Sequence, residues 1–263
     1  MTTIATHPAL AVNKIELEQK VKKMYEQVAR DPFGEFHFEM GRDLAERLGY
    51  APSDLDRIPS EAIESFAGVG YYFDLAALRA GEIVLDLGSG SGMDTFIAAL
   101  KVGNGGAVRG VDMTDAQRAK AERLRDRDGF RNVTCHKAYI EATPFADASC
   151  DAVISNGVIN LAADKAAVFR EAARVLKTGG RLAISDIISE KPLPEGVTCN
   201  ATLWAACIGG AMQQERYTDA IRTAGLRLVT LRSNPQYRFL TPQAQKACAT
   251  YGVKSVSILA LKD

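Results

Sequence analysis

The chain is poor in the residues that build redox and metal centres. Its five cysteines (Cys135, Cys150, Cys199, Cys207, Cys248) are odd in number and show no C-x-x-C spacing. That pattern argues against a disulfide framework or a structural zinc site and makes a reducing cytoplasm the expected compartment. The three histidines (His7, His37, His136) lie apart, so no metal is expected. No run approaches the roughly 18 apolar residues of a membrane span. Met1 to Val12 lacks a basic segment followed by an apolar core, so no signal peptide is expected. Lys+Arg and Asp+Glu both total 32, leaving no bulk charge for nucleic acid or an anionic membrane. Internal repeats and low-complexity tracts are absent from the sequence.

What remains is an ordinary globular composition, 47% hydrophobic and 24% charged over 263 residues, long enough to bury a full core. From Lys14 to Arg30, apolar residues recur at helical spacing among charges, which predicts an amphipathic helix in need of a partner surface. Asp31-Pro32 ends it, because the residue before proline is pushed out of the helical region. Residues 33–80 are less regular, with short helices predicted from Asp43 to Leu48 and from Ser60. In Ser65-Phe-Ala-Gly-Val-Gly-Tyr-Tyr-Phe73, glycines beside aromatics predict a mobile or tightly bent loop. Its aromatics serve either as a lid or pocket wall or as core for the N-terminal helices.

Beyond residue 82 strands and helices alternate. Strands are predicted at 83–87, 107–112, 132–136, 150–156 and 181–188, with helices at 116–127 and 165–176 between them. An apolar helix at 201–207 and another at 215–224 precede two late strands, 226–232 and 254–261, joined by a loop with Pro235 and Pro242. The expected fold is α/β: a doubly wound, mainly parallel, Rossmann-like sheet of seven strands with an antiparallel C-terminal edge, plus an N-terminal helical cap.

The organising stretch is Ile83-Val-Leu-Asp-Leu-Gly-Ser-Gly-Ser-Gly-Met-Asp94: a buried strand, a glycine turn and a helix start. Gly88, Gly90 and Gly92 let the backbone turn sharply and bring amide groups and a helix N-terminus toward a ligand. The glycines are spaced by two throughout, so the G-x-G-x-x-G of dinucleotide dehydrogenases is missing. A second acid, Asp112, ends the next strand, where a carboxylate can accept both hydroxyls of a ribose.

These motifs, with the turn Lys177-Thr-Gly-Gly180 before the fifth strand, resemble those of class I S-adenosylmethionine-dependent methyltransferases. A closer resemblance, to the arsenite methyltransferase family, extends over nearly the whole chain. It rests on Val84-Leu-Asp-Leu-Gly-Ser-Gly-Ser-Gly92, Val111-Asp-Met-Thr114, Tyr139-Ile-Glu141, Ile154-Ser-Asn-Gly-Val-Ile-Asn-Leu161 and Leu203-Trp-Ala-Ala-Cys-Ile-Gly-Gly-Ala211. The resemblance implies S-adenosyl-L-methionine as cofactor and a set of contacts to it. Asp86, Gly88, Ser89 and Gly90 would meet its methionine and ribose part, and Asp112 and Met113 the ribose and adenine. Ile140 and Glu141 would flank the adenine, Asn156 would lie near the donor methyl, and Tyr25 would close over the cofactor. Residues 1–80 would form the cap and 81–263 the cofactor-binding domain, with a substrate-side insertion at about 190–212.

The family's arsenic-binding cysteines belong in a glycine-flanked loop, a Ser-Asn-Cys motif and a Cys-Leu-Gly-Gly-type motif, since thiolates suit soft, thiophilic arsenic. Here the first two read Gly68-Val69-Gly70 and Ser155-Asn156-Gly157, and only Cys207 remains. One thiolate cannot make the two or three bonds that hold arsenic, so the leading expectation is a small organic acceptor in a more apolar, roomier pocket. Val69, Tyr71, Gly157, Asn160 and Trp204 are its expected lining. Cys207, His37 and Tyr72 are the candidates for catalysis: His37 is either a base near neutral pH or a packed histidine, and Cys207 either a site residue or core filler. The alternatives are thiol-dependent methylation of arsenite and cofactor binding without turnover.

Overall fold

The computed structural model describes residues 13–198 and 208–263. The predicted N-terminal helix is α1, Lys14–Arg30, capped by the Asn13 side chain, which accepts from the amides of Ile15 and Glu16. Four short helices follow: α2 (Arg42–Leu48), α3 (Pro52–Leu55), α4 (Ser60–Glu64) and α5 (Phe73–Ala76). Then strand and helix alternate: β1 (Ile83–Leu87), α6 (Met93–Val102), β2 (Ala107–Asp112), α7 (Asp115–Asp128), β3 (Val133–Lys137) and β4 (Cys150–Asn156). A 3-10 turn, Ile159–Leu161, leads into α8 (Lys165–Val175) and β5 (Leu176–Ser189). The chain closes with α9 (Glu195–Thr198), the two-residue β6 (Met212–Gln213), α10 (Gln214–Thr223), β7 (Leu226–Ser233), α11 (Pro242–Tyr251) and β8 (Lys254–Lys262).

The strands form one sheet in the order β3-β2-β1-β4-β5-β8-β7, with β6 paired to β5. Strands β1 to β5 pair in parallel, and β8 runs antiparallel between β5 and β7. The reversed strand thus lies one place inside the sheet, and β7 holds the edge. Sequence order reverses between β1 and β4, which opens a crevice at the carboxyl ends of those strands.

The segment between β7 and β8, expected as a loop, contains α11. Thr241 caps it by accepting from the Ala244 amide, Pro242 occupies its first turn, and Gly252 ends it in the left-handed conformation. Those are ordinary helix boundary signals. Ala244 and Ala247 are its buried side chains, in an apolar cluster with Leu17 and Val21 of α1 and Val69.

The N-terminal helices share their core with the sheet: Leu44, Leu48, Tyr50, Phe66, Tyr72 and Phe73 cluster with Val84, Phe96 and Ala152. The loop 65–73 is tightly bent and anchored. Ser255 and Ser257 donate to the carbonyls of Val69 and Tyr71 at 2.6 and 2.9 Å, and Asn156 donates to that of Gly70 at 3.0 Å. Gly70 has no room for a side chain, since an added Cβ would overlap the Asn234 amide and lie 2.7 Å from Ser185 Oγ. Gly70→Ala is therefore expected to cost about 1–3 kcal/mol, the range for overpacking a filled core. Urea unfolding measures this, and an unchanged midpoint would mean that the loop is slack.

Candidate functional site

The crevice at the strand ends holds a cavity of about 1190 Å³ of empty space, its open mouth included. The glycine turn forms its floor. Gly88, Gly90 and Gly92 have φ of +73°, +54° and +99°, a region where side chains are strained. A Cβ on Gly88 would also lie 2.5 Å from Val158. Three of the turn's amides are spent: Gly88 and Ser89 donate to the Val111 carbonyl at 2.8 and 2.9 Å, and Gly90 to Asp112 Oδ2 at 3.0 Å. Those three amides knit the turn to the end of β2, and there the glycines contribute space more than donors.

Acidity dominates the electrostatics. Asp86, 2% exposed, accepts from the Thr95 hydroxyl at 2.6 Å. Asp94 sits in the first turn of α6 and accepts from the hydroxyls of Tyr50 and Tyr72 at 2.7 and 2.8 Å. Asp112 also accepts from the Thr114 amide at 2.7 Å. All three line the cavity, together with Glu18 and Glu141, whereas Lys14 is the one basic residue among the described lining. Burial, reinforced by the charges of Asp94 and Asp112, pushes the Asp86 carboxyl up to about 8. Burial raises Asp94 and Asp112 as well, against the hydrogen bonds they accept. The cavity is built to receive positive charge.

The ten residues expected to hold a cofactor all reach this one cavity. The carboxyl ends of β1, β2 and β4 bring Asp86, Asp112 and Asn156, and the turn brings Gly88, Ser89 and Gly90. Met113, Ile140 and Glu141 follow the ends of β2 and β3, and α1 lays Tyr25 across from them. Helix α1 is fastened at both ends. Gln117 donates to the Tyr25 carbonyl at 2.9 Å, and near its start Tyr139 donates to Glu18 at 2.5 Å while Lys22 donates to Tyr139 at 2.9 Å.

The residues expected around the acceptor divide differently. Tyr72 is fully buried and spends its hydroxyl on Asp94, behind the cavity, so it supports a site residue and presents no group to a substrate. Tyr71 packs edge-on against Tyr50 at 5.0 Å, and His37 edge-on against Phe38 at 4.7 Å; neither lines the cavity. Asn160 is buried within the 3-10 turn, with its backbone N–H donating to Asp186 at 3.3 Å. Val69 and Gly157 stand outside the lining but meet each other: a Cβ on Gly157 (φ +71°) would lie 3.1 Å from Val69 Cγ1. Trp204, Cys207 and the helix expected at 201–207 lie outside the described residues.

Sequence reasoning passed over two residues. Asp94 belongs to the opening motif, and its place in a first helical turn is a signal in itself. Gln117 is 1% exposed, accepts from Ser91 at 2.5 Å and ties α7 to α1. Nothing in its charged local sequence marks it.

A parallel-sheet crevice with a glycine turn, an acid at the end of the second strand and an acidic cavity is the arrangement of a nucleotide-cofactor fold. A family model described as a methyltransferase domain matches residues 78–225, and the chain belongs to that family, the class I S-adenosylmethionine-dependent methyltransferases. An arsenite methyltransferase of Halobacterium salinarum is 38% identical over 187 residues, 71% of this chain and 48% of that one. A ubiquinone/menaquinone biosynthesis C-methyltransferase of Klebsiella pneumoniae is 37% identical over 127 residues, 48% of this chain and 49% of that one. Among solved structures, an arsenic(III) S-adenosylmethionine methyltransferase from Chlamydomonas reinhardtii matches with a TM-score of 0.65 at 30% identity, covering 86% of this chain and 75% of that one. The chain spans about half the length of the curated relatives it matches. S-Adenosylmethionine, the cofactor of the family, carries a positive sulfur and an ammonium, and the acidic cavity fits both charges. Among the described residues no three His, Cys, Asp or Glu side chains group to hold a metal, and no helix is long and apolar enough to cross a membrane.

The raised Asp86 yields a linkage prediction. Its folded value near 8 lies above the ordinary 3.8, so the folded state holds the proton more tightly. This group therefore favours folding most at low pH, and its contribution declines as pH rises from about 4 to 8. Asp86→Asn removes that loss. The unliganded variant is expected to melt higher than wild type at pH 8, by much less at pH 5, and to lose the thermal shift given by S-adenosylhomocysteine. A lower melting temperature at pH 8 would contradict the assignment.

Proposed function

We propose that this chain transfers a methyl group from S-adenosylmethionine to a small organic acceptor. Bound S-adenosylmethionine supplies a methyl group already activated by the positive charge on its sulfur. The protein then has to align a nucleophile and exclude water. In this reading Asp86 and the glycine turn hold the methionine end, Asp112 the ribose, and Met113, Ile140 and Glu141 the adenine, with Tyr25 closing over them. Asn156 holds the acceptor-side loop: its Oδ1 accepts from the Val69 amide at 2.8 Å, and its Nδ2 reaches the Gly70 carbonyl and Asp94.

The observation that carries the acceptor reading is the meeting of Val69 and Gly157. The resemblance to arsenite methyltransferases puts cysteines at these two positions. Their adjacency here supports a shared role there, as neighbouring soft ligands. With valine packed against a bare glycine backbone, neither position carries a soft donor, which favours an organic molecule over a metalloid. The 37% identical relative named for quinone C-methylation is in keeping with an organic acceptor.

Calorimetric titration with S-adenosylhomocysteine tests the donor. Asp112→Ala is expected to weaken binding by about 1.5–3 kcal/mol, the scale of a charge-assisted hydrogen bond; unchanged affinity would place the ribose elsewhere.

A second reading, thiol-dependent methylation of arsenite, is favoured by the names of several curated relatives at 38–42% identity. Incubation with arsenite, a thiol and S-adenosylmethionine is expected to yield no methylated arsenic. Its formation by wild type, with loss in Cys207→Ala, would reverse the order of the two readings.

A further inference from the structure

Behind one wall of the cavity lies a set of buried polar groups that none of the roles above uses. Leu161, Ala162 and Ala163 line the cavity in succession, between the 3-10 turn and α8. Lys165, the first residue of α8, is 3% exposed, and its Nζ donates to the Ala162 carbonyl at 3.0 Å. Asp186 on β5 is fully buried and accepts from the amides of Asn160 and Ile187 at 3.3 and 2.8 Å. Its other oxygen accepts from the hydroxyl of Tyr217 on α10 at 2.5 Å. The wall is thus pinned from behind at two backbone points, one on each side of Leu161, by side chains of opposite charge.

A lysine this deep is costly, since each buried ion loses several kcal/mol of hydration. The charges acting on it are Asp186 from β5, Glu141 from the segment after β3, and Asp164 beside it. Glu141 is itself part of the cavity lining. The buried lysine therefore feels the charge of a cavity-lining carboxylate as well as holding the Ala162 carbonyl.

We propose that Lys165 and Asp186 are positioning residues for the cofactor: acting as a pair, they hold the Leu161–Ala163 wall in the arrangement that binds it. Neither needs to touch the ligand. Burial draws the Lys165 ammonium down to about 8 and pushes the Asp186 carboxyl up to about 6. Both are charged between those values, and the pair loses its positive member above pH 8.

The inference rests on the reading of the cavity as an S-adenosylmethionine site, and the test separates the two. Titrate the full chain with S-adenosylhomocysteine as wild type, Lys165→Met, Asp186→Asn and the double variant. If wild type fails to bind, the cofactor reading itself falls. Given wild-type binding, each single variant is expected to raise Kd about tenfold at pH 7, the scale of a lost hydrogen bond to a charged group. The double variant should be no worse than the worse single, because both act on one wall. The ratio of Kd between Lys165→Met and wild type should also fall toward one above pH 8, as the wild-type lysine loses its proton. A lysine that served folding alone would leave Kd unmoved while changing the melting temperature. Tyr217→Phe, which removes only the hydroxyl on Asp186, should raise Kd by a smaller factor, and it gives a reading should Asp186→Asn fail to fold. Unchanged Kd in the variants, multiplicative effects in the double variant, or a ratio independent of pH would overturn the proposal.

Discussion

Three carboxylates gathered at the carboxyl end of one parallel sheet are the constraint on which the rest of the structure depends. Asp86, Asp94 and Asp112 come from β1, α6 and β2, and each is pushed toward its neutral form by burial. Water would solvate them far better than the interior does. Hydrogen bonds from Thr95, Tyr50, Tyr72, Thr114 and Gly90 offset part of that cost. On the proposed reading a cationic ligand offsets part of the remainder, so stability of the unliganded chain is given up for affinity. The glycine turn is subordinate to this arrangement: it spends three amides on β2 and keeps the space above the acids clear.

A second layer follows from the first. The tyrosines that serve Asp94 belong to the N-terminal segment, so Tyr50 and Tyr72 draw α2 to α5 into the same core as the sheet. The loop 65–73 is then fixed between Asn156 on one side and Ser255 and Ser257 on the other. Its aromatics are core and scaffold for the acid cluster. The element that lies over the cavity is α1, fastened through Gln117 and through the Glu18–Lys22–Tyr139 contacts.

Relatives named for arsenite and for a quinone share this framework at 38% and 37% identity. The donor half is therefore common property, while acceptor choice falls to a few side chains grafted on it, as is usual for a widely used fold. On the proposed reading Val69 and Gly157 are two of those positions, and they come together although one precedes the sheet and the other follows its fourth strand.

The chain's periodicity and punctuation were enough to read the parallel sheet and most of its helices, because these depend on residues within a turn or two of one another, while the donor class came from the resemblance of its motifs to a known family. The strand Ile83–Leu87, the glycines after it and the acid at Asp112 carry their chemistry locally. Even α11 had a local signal in Thr241-Pro242 and Gly252, outweighed by the two prolines that suggested a loop. Tertiary structure alone decided what each side chain faces. Asp94 meets Tyr50 across 44 residues, Asn156 meets the Gly70 carbonyl across 86, and Ser255 meets that of Val69 across 186. Contacts at such separations leave no period or spacing in the sequence. For that reason Tyr72 and His37 could be named as site candidates but not placed, and Gln117, Lys165 and Asp186 could be placed only once the fold had brought their partners to them.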